Sequence, residues 1–271
     1  MKKAILLDGS AGTALWAMAE RAGVPKSSVW LYNMEHPEFV TELHRSYIAA
    51  GSQMIQANTF SVNRESVSRE SDYSAAEVVE KAVQLAKQAV AGTDVKVYTP
   101  FGPLLQLMEP YGKLSAAEVD AVYSELAAAA VKAGADTIVL ETFMDVRMAA
   151  VAARAVKRFG GSVICSMTFE KRRRTMMGDS VQDIVSTLAP LGIDGVGMNC
   201  SKGPVEALEI IREYSECTDL PLYYKPNAGL GESYSASQFA AEIALALELV
   251  SYVGGCCGCD ESYIKEIGKL L

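Results

Sequence analysis

Histidine and excess positive charge are both scarce in this sequence. Only two histidines occur, His36 beside Pro37 and His44 within the helical segment that follows. Mechanisms that depend on a histidine general base or a catalytic triad are therefore not expected. With 25 basic against 33 acidic residues, the net charge is −8, which disfavours contact with the phosphate backbone of a nucleic acid. No nucleic-acid partner is predicted.

Long apolar runs are also missing. No stretch approaches the roughly 20 apolar residues of a membrane-spanning helix. The N-terminal stretch MKKAILLDGS has only four apolar residues before Asp8, too few for the core of a signal peptide. We therefore expect a cytoplasmic protein without membrane segments. In a reducing compartment, cysteines serve as metal ligands, catalysts or core residues more often than as disulfides. The six cysteines are Cys165, Cys200, Cys217, Cys256, Cys257 and Cys259.

What the sequence does contain is a regular alternation of short β-rich runs with segments of helical periodicity. The β-rich runs span residues 4–8, 53–58, 95–100, 136–141, 162–169, 195–200, 221–227 and 251–256. Strict alternation predicts a parallel sheet with crossover helices, and eight repeats in 271 residues match a closed (β/α)8 TIM barrel forming one domain, residues 1–271. The alternative is an open doubly wound sheet, but no GxGxxG turn follows the first run. The longest irregular stretches are predicted at residues 9–36 and 59–73.

Polar side chains and thiols end the predicted strands. The carboxyl ends of barrel strands converge on one mouth, where catalytic groups are found. The residues at these ends are Asp8, Asn58, Thr59, Glu141, Thr142, Asn199, Cys200, Asn227, Cys256 and Cys257. The mouth is therefore predicted to be small, polar and rich in thiols.

Cys200, Cys256 and Cys257 suggest a zinc site, because zinc binds thiolates in tetrahedral geometry and three protein ligands leave a fourth position for water or substrate. Strands 6 and 8 are both even-numbered, so their inward side chains share the same layers of the barrel. The glycines of the stretch GGCCG would let neighbouring thiols face one metal. Three thiolates give zinc a formal charge of 2 − 3 = −1, which suits activation of a substrate thiol better than hydrolysis. Attack of that sulfur on an electrophilic carbon is the expected chemistry.

Other interpretations of these residues remain open. Cys165 and Cys217 are expected to be core or incidental. The spacing from Cys256 to Cys259 is a CxxC, which also occurs in redox pairs and zinc ribbons, and Cys259 is an alternative ligand. A non-catalytic, thiol-sensing zinc barrel is a further alternative. The basic run at residues 170–175 is either a solvated loop or a surface that binds an anion or a partner.

Asp8 and Glu141 are expected to bind the ammonium group of an amino-acid substrate. Asp8 could instead cap the loop after it, and Glu141 could form a structural ion pair. An inward carboxylate needs a cation or several donors, because burying it unpaired is costly. Few basic residues lie near these positions in the sequence, so the substrate is the favoured source of the cation.

Six motifs carry a family resemblance: LDGSAGT (7–13), ANTF (57–60), ETF (141–143), GMNCSKGP (197–204), PNAG (226–229) and GGCCG (254–258). In order and spacing they resemble the zinc-dependent homocysteine S-methyltransferases, over nearly the whole chain. The resemblance implies a zinc ion on Cys200, Cys256 and Cys257, which form the catalytic centre, with the homocysteine sulfur in the fourth position. ANTF stands where that family commonly has TNTF.

The resemblance also implies the substrate contacts. Asp8 and Glu141 would hold the amino group of homocysteine, and the backbone around Gly9 and Ser10 would receive its carboxylate. Asn227 corresponds to an asparagine near the metal. Asn58, in ANTF, completes the substrate-binding set.

The stretches GPLLQLMEPYGKLS, NCSKGP and TDLPLYYKPNAGL most resemble the homocysteine module of cobalamin-dependent methionine synthase. No folate or cobalamin module follows before Leu271. The expected reaction is therefore methyl transfer to homocysteine, giving methionine, from methylcobalamin or a methyl-corrinoid on a separate protein. S-methylmethionine and betaine are the alternative donors.

Overall fold

A computed structural model of the chain describes residues 4–200, 202–229 and 234–271. Eight strands form one sheet in which every assigned pair is parallel. They are β1 (Ile5–Leu6), β2 (Met54–Gln56), β3 (Lys96–Phe101), β4 (Thr137–Phe143), β5 (Ser162–Met167), β6 (Gly195–Cys200), β7 (Leu222–Pro226) and β8 (Tyr252–Val253). All eight lie within or overlap the predicted runs.

Helices alternate with the strands around the outside of the sheet. They are α1 (Ala11–Arg21), α2 (Tyr32–Glu35), α3 (Pro37–Ala49), α4 (Arg64–Ser68), α5 (Ala75–Val90), α6 (Ala116–Lys132), α7 (Val146–Lys157), α8 (Val181–Leu188), α9 (Pro204–Cys217), α10 (Ala236–Ile243) and α11 (Glu261–Gly268). Ser74, Ser115, Ser180 and Ser235 cap four of them, each accepting a hydrogen bond from the third residue of its helix. Such caps satisfy helix-end amides that have no partner within the helix.

Gln53 joins β1 and β2, the two strands at the ends of the sheet order. The sheet order runs β1-β8-β7-β6-β5-β4-β3-β2, and the amide of Gln53 donates to the carbonyl of Leu6 at 2.7 Å. The side chain of Gln53 accepts from the amide of Leu6 at 2.9 Å. These two bonds join β1 to the start of β2, which confirms the predicted (β/α)8 barrel.

Strand parity decides which side chains reach the mouth. The barrel interior is filled by Leu7, Met54, Tyr98, Val139, Ile164 and Tyr223. Side chains two positions further along a strand share its face. Glu141, Ser166 and Lys225 therefore also point inward, one layer nearer the carboxyl ends of the strands, and all three are buried.

The predicted irregular stretches at 9–36 and 59–73 are wrong in part. The first contains α1, which begins after Ser10, where the side chain caps the helix by accepting from the amide of Thr13. The second contains α4, capped by Asn63. Both helices follow strand ends that are rich in turn residues. The prediction overlooked Ser10 and Asn63 as residues that cap a helix, and so it missed both helices. In the described ranges, no helix is long and apolar enough to cross a membrane.

Candidate functional site

Three thiols meet at the carboxyl ends of β6 and β8. The Sγ atoms of Cys200, Cys256 and Cys257 all lie within 4.8 Å of one another, and they are the one such group of ligand atoms in the part of the chain that the structure describes. Cys200 and Cys257 are 3.6 Å apart, sulfur to sulfur. Tetrahedral zinc with bonds of about 2.3 Å separates two thiolate sulfurs by about 3.8 Å. The donor set and its spacing therefore fit zinc.

Cys200 reaches this cluster through an unusual backbone conformation. Val196 and Met198 pack in the outer core, so the inward positions near the end of β6 belong to Gly197 and Asn199, and strand parity alone would direct Cys200 away from the mouth. Its φ is +61°, in the left-handed region that non-glycine residues rarely adopt. The predicted layer argument is thus wrong for Cys200, because a local backbone turn brings its thiol to the cluster.

Glycines shape the loop that carries the other two thiols. Gly258 has φ +84°. A Cβ atom on Gly255 would lie 2.5 Å from the Sγ of Cys259, so only glycine fits at that position. The amide of Cys256 donates to the carbonyl of Pro226 at 2.9 Å. The loop is thereby fixed to the end of β7. Both neighbouring thiols lie in one cluster, as the glycines of GGCCG led us to expect.

Asn199 ties three strand ends together behind the thiols. Its Oδ1 accepts from the amide of Thr142 and from the hydroxyl of Ser166, both at 2.8 Å. Its Nδ2 donates to Oγ1 of Thr142 at 2.7 Å and lies 4.0 Å from the Sγ of Cys256. Thr142 also has a positive φ, +64°. Asn199 therefore holds the strained ends of β4 and β6 in register beside the cluster.

Without metal, the pKa values of Cys256 and Cys257 are raised, so these two thiols keep their protons. The hydrogen bond with Cys200 is the main reason that the pKa of Cys257 is raised to about 11. Hydrogen bonds with Cys200 and Cys257, followed by burial, raise the pKa of Cys256. A divalent cation would have to displace these protons.

Cys259 lies outside the cluster, and its role is structural. It is 1% exposed, and burial is the main cause that raises its pKa to about 12, the opposite of a reactive thiol. Its carbonyl accepts from the amide of Ser10 at 2.9 Å and from the hydroxyl of Tyr47 at 3.1 Å. The alternative in which Cys259 binds the metal has no support from this geometry.

A buried lysine that the sequence analysis missed lies among the predicted carboxylates. The Nζ of Lys225 is 3.0 Å from Oδ1 of Asp8 and 2.6 Å from the hydroxyl of Tyr98. That hydroxyl and the amide of Gln56 also donate to Asp8, at 2.9 Å and 2.7 Å. The premise that few cations lie near the carboxylates is therefore wrong, since Asp8 has its counter-charge within the protein.

Glu141 stands in a different environment. Its Oε2 accepts from the hydroxyl of Tyr223 at 3.2 Å, and the side chain is buried. Burial is the largest cause that raises the pKa of Glu141 to about 7, while Lys225 acts in the opposite direction. Glu141 thus has one hydrogen-bond donor among the described residues, and its binding of a substrate cation stays a prediction.

Comparisons with known proteins agree with this site. Residues 5–271 match the sequence profile described as Homocysteine S-methyltransferase. The chain belongs to this family. It is 29% identical to methionine synthase of Mycobacterium tuberculosis over 97% of its own length and 28% identical to that of Mycobacterium leprae over 89%. It spans about a quarter of those relatives, 24% and 22% of their lengths.

Solved structures show the same fold. The metallated form of the homocysteine methyltransferase MmuM from Escherichia coli superposes with a TM-score of 0.83 at 22% identity, covering 99% of this chain and 96% of the other. The apo form gives a TM-score of 0.80 at the same identity and coverage. The barrel architecture is therefore that of a known methyltransferase.

The family resemblance placed the substrate carboxylate at the backbone of Gly9 and Ser10. The amide of Ser10 donates to the carbonyl of Cys259, and binding of a carboxylate by the backbone around Gly9 and Ser10 stays a prediction. Gly9 is constrained as well, because a Cβ atom there would lie 2.4 Å from the same carbonyl. Gly9 is thus required for the close approach of the two loops.

The two asparagines of the predicted substrate set differ in their surroundings. The Nδ2 of Asn58 donates to the carbonyl of Val29 at 2.8 Å, and its own carbonyl accepts from Asn33, which gives it a structural role. Asn227 accepts from the amide of Cys257 at 3.1 Å through Oδ1. Its buried Nδ2 has no partner within the described residues. A buried amide donor without a partner, next to one of the clustered thiols, is typical of a site that binds a polar group of a substrate.

Residues 170–174 of the basic run form an exposed loop, and Thr175 is buried. Lys171–Arg173 make one short helical turn in which Arg172 and Arg173 have positive φ. Arg173 pairs with Glu213 at 3.3 Å. This loop and Lys202, with acidic neighbours, line a cavity of about 580 Å³. A role in binding an anion or a partner stays a prediction. Ser201, within the NCSKGP motif, lies outside the described residues.

Proposed function

We propose that this protein transfers a methyl group to the thiol of homocysteine, giving methionine, at a zinc ion held by Cys200, Cys256 and Cys257. The observation that carries the proposal is the cluster of three thiols at 4.8 Å or less, located in the mouth of a barrel of the homocysteine S-methyltransferase family. The three ligands leave one tetrahedral position for a fourth sulfur.

The donor set fits zinc chemically as well as by distance. Three cysteines without histidine form a soft, thiolate-only set, which zinc accepts. When bound, zinc would favour the deprotonated thiol of the substrate and keep its sulfur electron-rich. The MmuM relative has been solved in a metallated form, which is consistent with a metal at the corresponding place.

The chain's own residues orient the amino acid. Glu141 would accept hydrogen bonds from the ammonium group, because none of the ion pairs among the described residues involves this inward carboxylate. The unpartnered Nδ2 of Asn227 would donate to the substrate.

The reaction is a direct displacement. The substrate sulfur forms a bond to the methyl carbon while the bond from that carbon to the donor breaks, and the leaving group keeps the electron pair. The thiol proton leaves to solvent before or during substrate binding. None of these steps needs a histidine, in agreement with the scarcity of that residue.

We infer that the donor is a methyl-corrinoid, either free methylcobalamin or one carried by a separate protein. Support comes from the similarity to methionine synthases, of which this chain spans about a quarter. S-methylmethionine and betaine are the competing donors. Cytoplasmic location also stays a prediction.

The proposal is tested with the purified zinc-loaded protein and homocysteine. Methionine formation is measured with methylcobalamin, S-methylmethionine and betaine in separate assays. Turnover with methylcobalamin supports the corrinoid donor, whereas turnover with betaine alone would exclude it. Tight metal binding without any spectral response of the cobalt-substituted protein to homocysteine would instead support the non-catalytic zinc barrel.

A further inference from the structure

Three buried charged side chains from three strand ends lie below the thiols, and we call Asp8, Glu141 and Lys225 the buried ring. Asp8 follows β1, Glu141 lies near the end of β4 and Lys225 lies on β7. The side chains of Lys225 and Asp8 are 3% and 1% exposed. Burying an ion pair is rarely a net gain in stability, so its presence at a binding site calls for another explanation.

The contacts divide the two carboxylates into different roles. Asp8 accepts from three protein donors, Lys225, Tyr98 and the Gln56 amide, and a carboxylate has about four lone-pair sites. Among the described residues, Glu141 accepts one hydrogen bond, from Tyr223. Asp8 is therefore nearly saturated, and Glu141 retains most of its acceptor capacity.

The charges lead to the same division. Asp8 and Lys225 sum to zero, which leaves the charge of Glu141 uncompensated. One ammonium group would neutralise it. A thiol without an amino group would leave this buried carboxylate unpaired, which is unfavourable.

We propose that Lys225 is a specificity-determining residue, which neutralises Asp8 so that the mouth has one uncompensated carboxylate and selects a thiol with a single ammonium group. This inference rests on the proposed function in taking an amino thiol as the substrate. Lys225 acts through Asp8 and is a positioning residue.

The test compares homocysteine with its des-amino analogue, 4-sulfanylbutanoate. Dissociation constants for both thiols are measured on zinc-loaded protein, so no methyl donor is needed. Their ratio, analogue over homocysteine, reports selectivity for the amino group. In E141Q the charge of the ring falls to zero, and the ratio is expected to drop about tenfold or more.

The decisive variants remove Lys225 from proteins that have already lost a carboxylate. In E141Q/K225M, Asp8 becomes the uncompensated carboxylate, and the ratio should rise about fivefold above that of E141Q. In D8N, Lys225 is left to neutralise Glu141 and the ratio should fall. D8N/K225M should restore it, since Glu141 is again alone. Because D8N/K225M removes the charges of both Asp8 and Lys225, no buried cation is left without a partner.

The matched control is E141Q/K132M, in which the lysine removed belongs to the exposed pair with Glu80. Its ratio should equal that of E141Q. Far-UV circular dichroism and zinc stoichiometry verify that each variant is folded. If Lys225→Met leaves the ratio unchanged or lowers it in both backgrounds, the inference is overturned. The proposed function would fail separately, by absence of methionine formation in the wild-type protein.

Discussion

The Sγ atoms of Cys200 and Cys257 lie 3.6 Å apart although 57 positions separate them in the chain. The contact depends on the left-handed backbone of Cys200 and on the loop after β8. Replacing either cysteine with serine removes a soft ligand, so we expect Cys200→Ser and Cys257→Ser to lose stoichiometric zinc and methyl transfer. Metal content of the purified variants and methionine formation measure the two effects.

Cys217→Ser and Cys259→Ser provide the controls for this prediction. Neither thiol belongs to the cluster in the described residues, and both variants should keep one zinc per chain. Full metal loading and activity in Cys200→Ser would show that the three clustered thiols do not form the zinc site.

Removing the side chain of Asn199 should weaken zinc binding although none of the three cysteines is replaced. Asn199→Ala loses hydrogen bonds with Thr142 and Ser166, which support the strained end of β6. We expect zinc affinity to fall about 10- to 100-fold, together with a loss of about 1–3 kcal/mol in the free energy of unfolding. Chelator competition and urea denaturation measure these quantities.

Ser166→Ala is the matched control for Asn199→Ala. It removes one donor to Oδ1 but leaves both contacts with Thr142 in place, so its effect on zinc should be smaller. Equal zinc affinity in wild type and Asn199→Ala would show that the support by Asn199 is dispensable.

The fold and the thiol cluster could be predicted from sequence because both have one-dimensional signatures. Apolar periodicity alternates between strand and helix, and Asn-Cys and GGCCG end two of the strands. Convergence of strand ends is a property of the barrel, so it places these motifs together once the fold is known. The resemblance to the family pointed to the same three cysteines.

The features that sequence reasoning missed depend on local backbone angles and on contacts across the barrel. A positive φ at Cys200 has no signature in residue type, because non-glycine residues seldom adopt it. The bond from the Ser10 amide to Cys259 joins positions far apart in the chain. Lys225 did leave a signal: in the run LYYKP it shares the inward face with Tyr223, and a lysine at an inward strand position needs a buried anion.

Gly255→Ala tests whether the glycines of GGCCG are needed for close packing. The added Cβ would lie 2.4 Å from the Cβ and 2.5 Å from the Sγ of Cys259, so the loop must move. We expect a loss of about 1–3 kcal/mol in the free energy of unfolding and weaker zinc binding. Urea denaturation and metal analysis measure both effects.

Gly12→Ala is the control for this steric argument. Gly12 lies in α1, and a Cβ atom there would meet its nearest neighbour, a methyl group of Val29, at 3.8 Å, an ordinary contact. Alanine favours a helix over glycine, so this variant should be neutral or slightly more stable. A fully stable, zinc-loaded Gly255→Ala would contradict the packing argument.

Glu141 should make selection of the amino group dependent on pH. Burial is the main cause that raises its pKa from the ordinary value of 4.5 to about 7, so the carboxyl is neutral below that pH and ionised above it. Only the ionised form attracts an ammonium group. Affinity for homocysteine relative to 4-sulfanylbutanoate should therefore rise about tenfold between pH 6 and pH 8.

Comparing the two thiols at each pH cancels the part of the response that comes from ionisation of the thiol, because both substrates share it. Titrations of zinc-loaded wild-type protein and of Glu141→Gln at pH 6, 7 and 8 give the two profiles. The ratio should be flat in Glu141→Gln, since an amide does not ionise in this range. A flat ratio in the wild type would mean that Glu141 does not receive the ammonium group, and the amino acid would then have to be held elsewhere in the mouth.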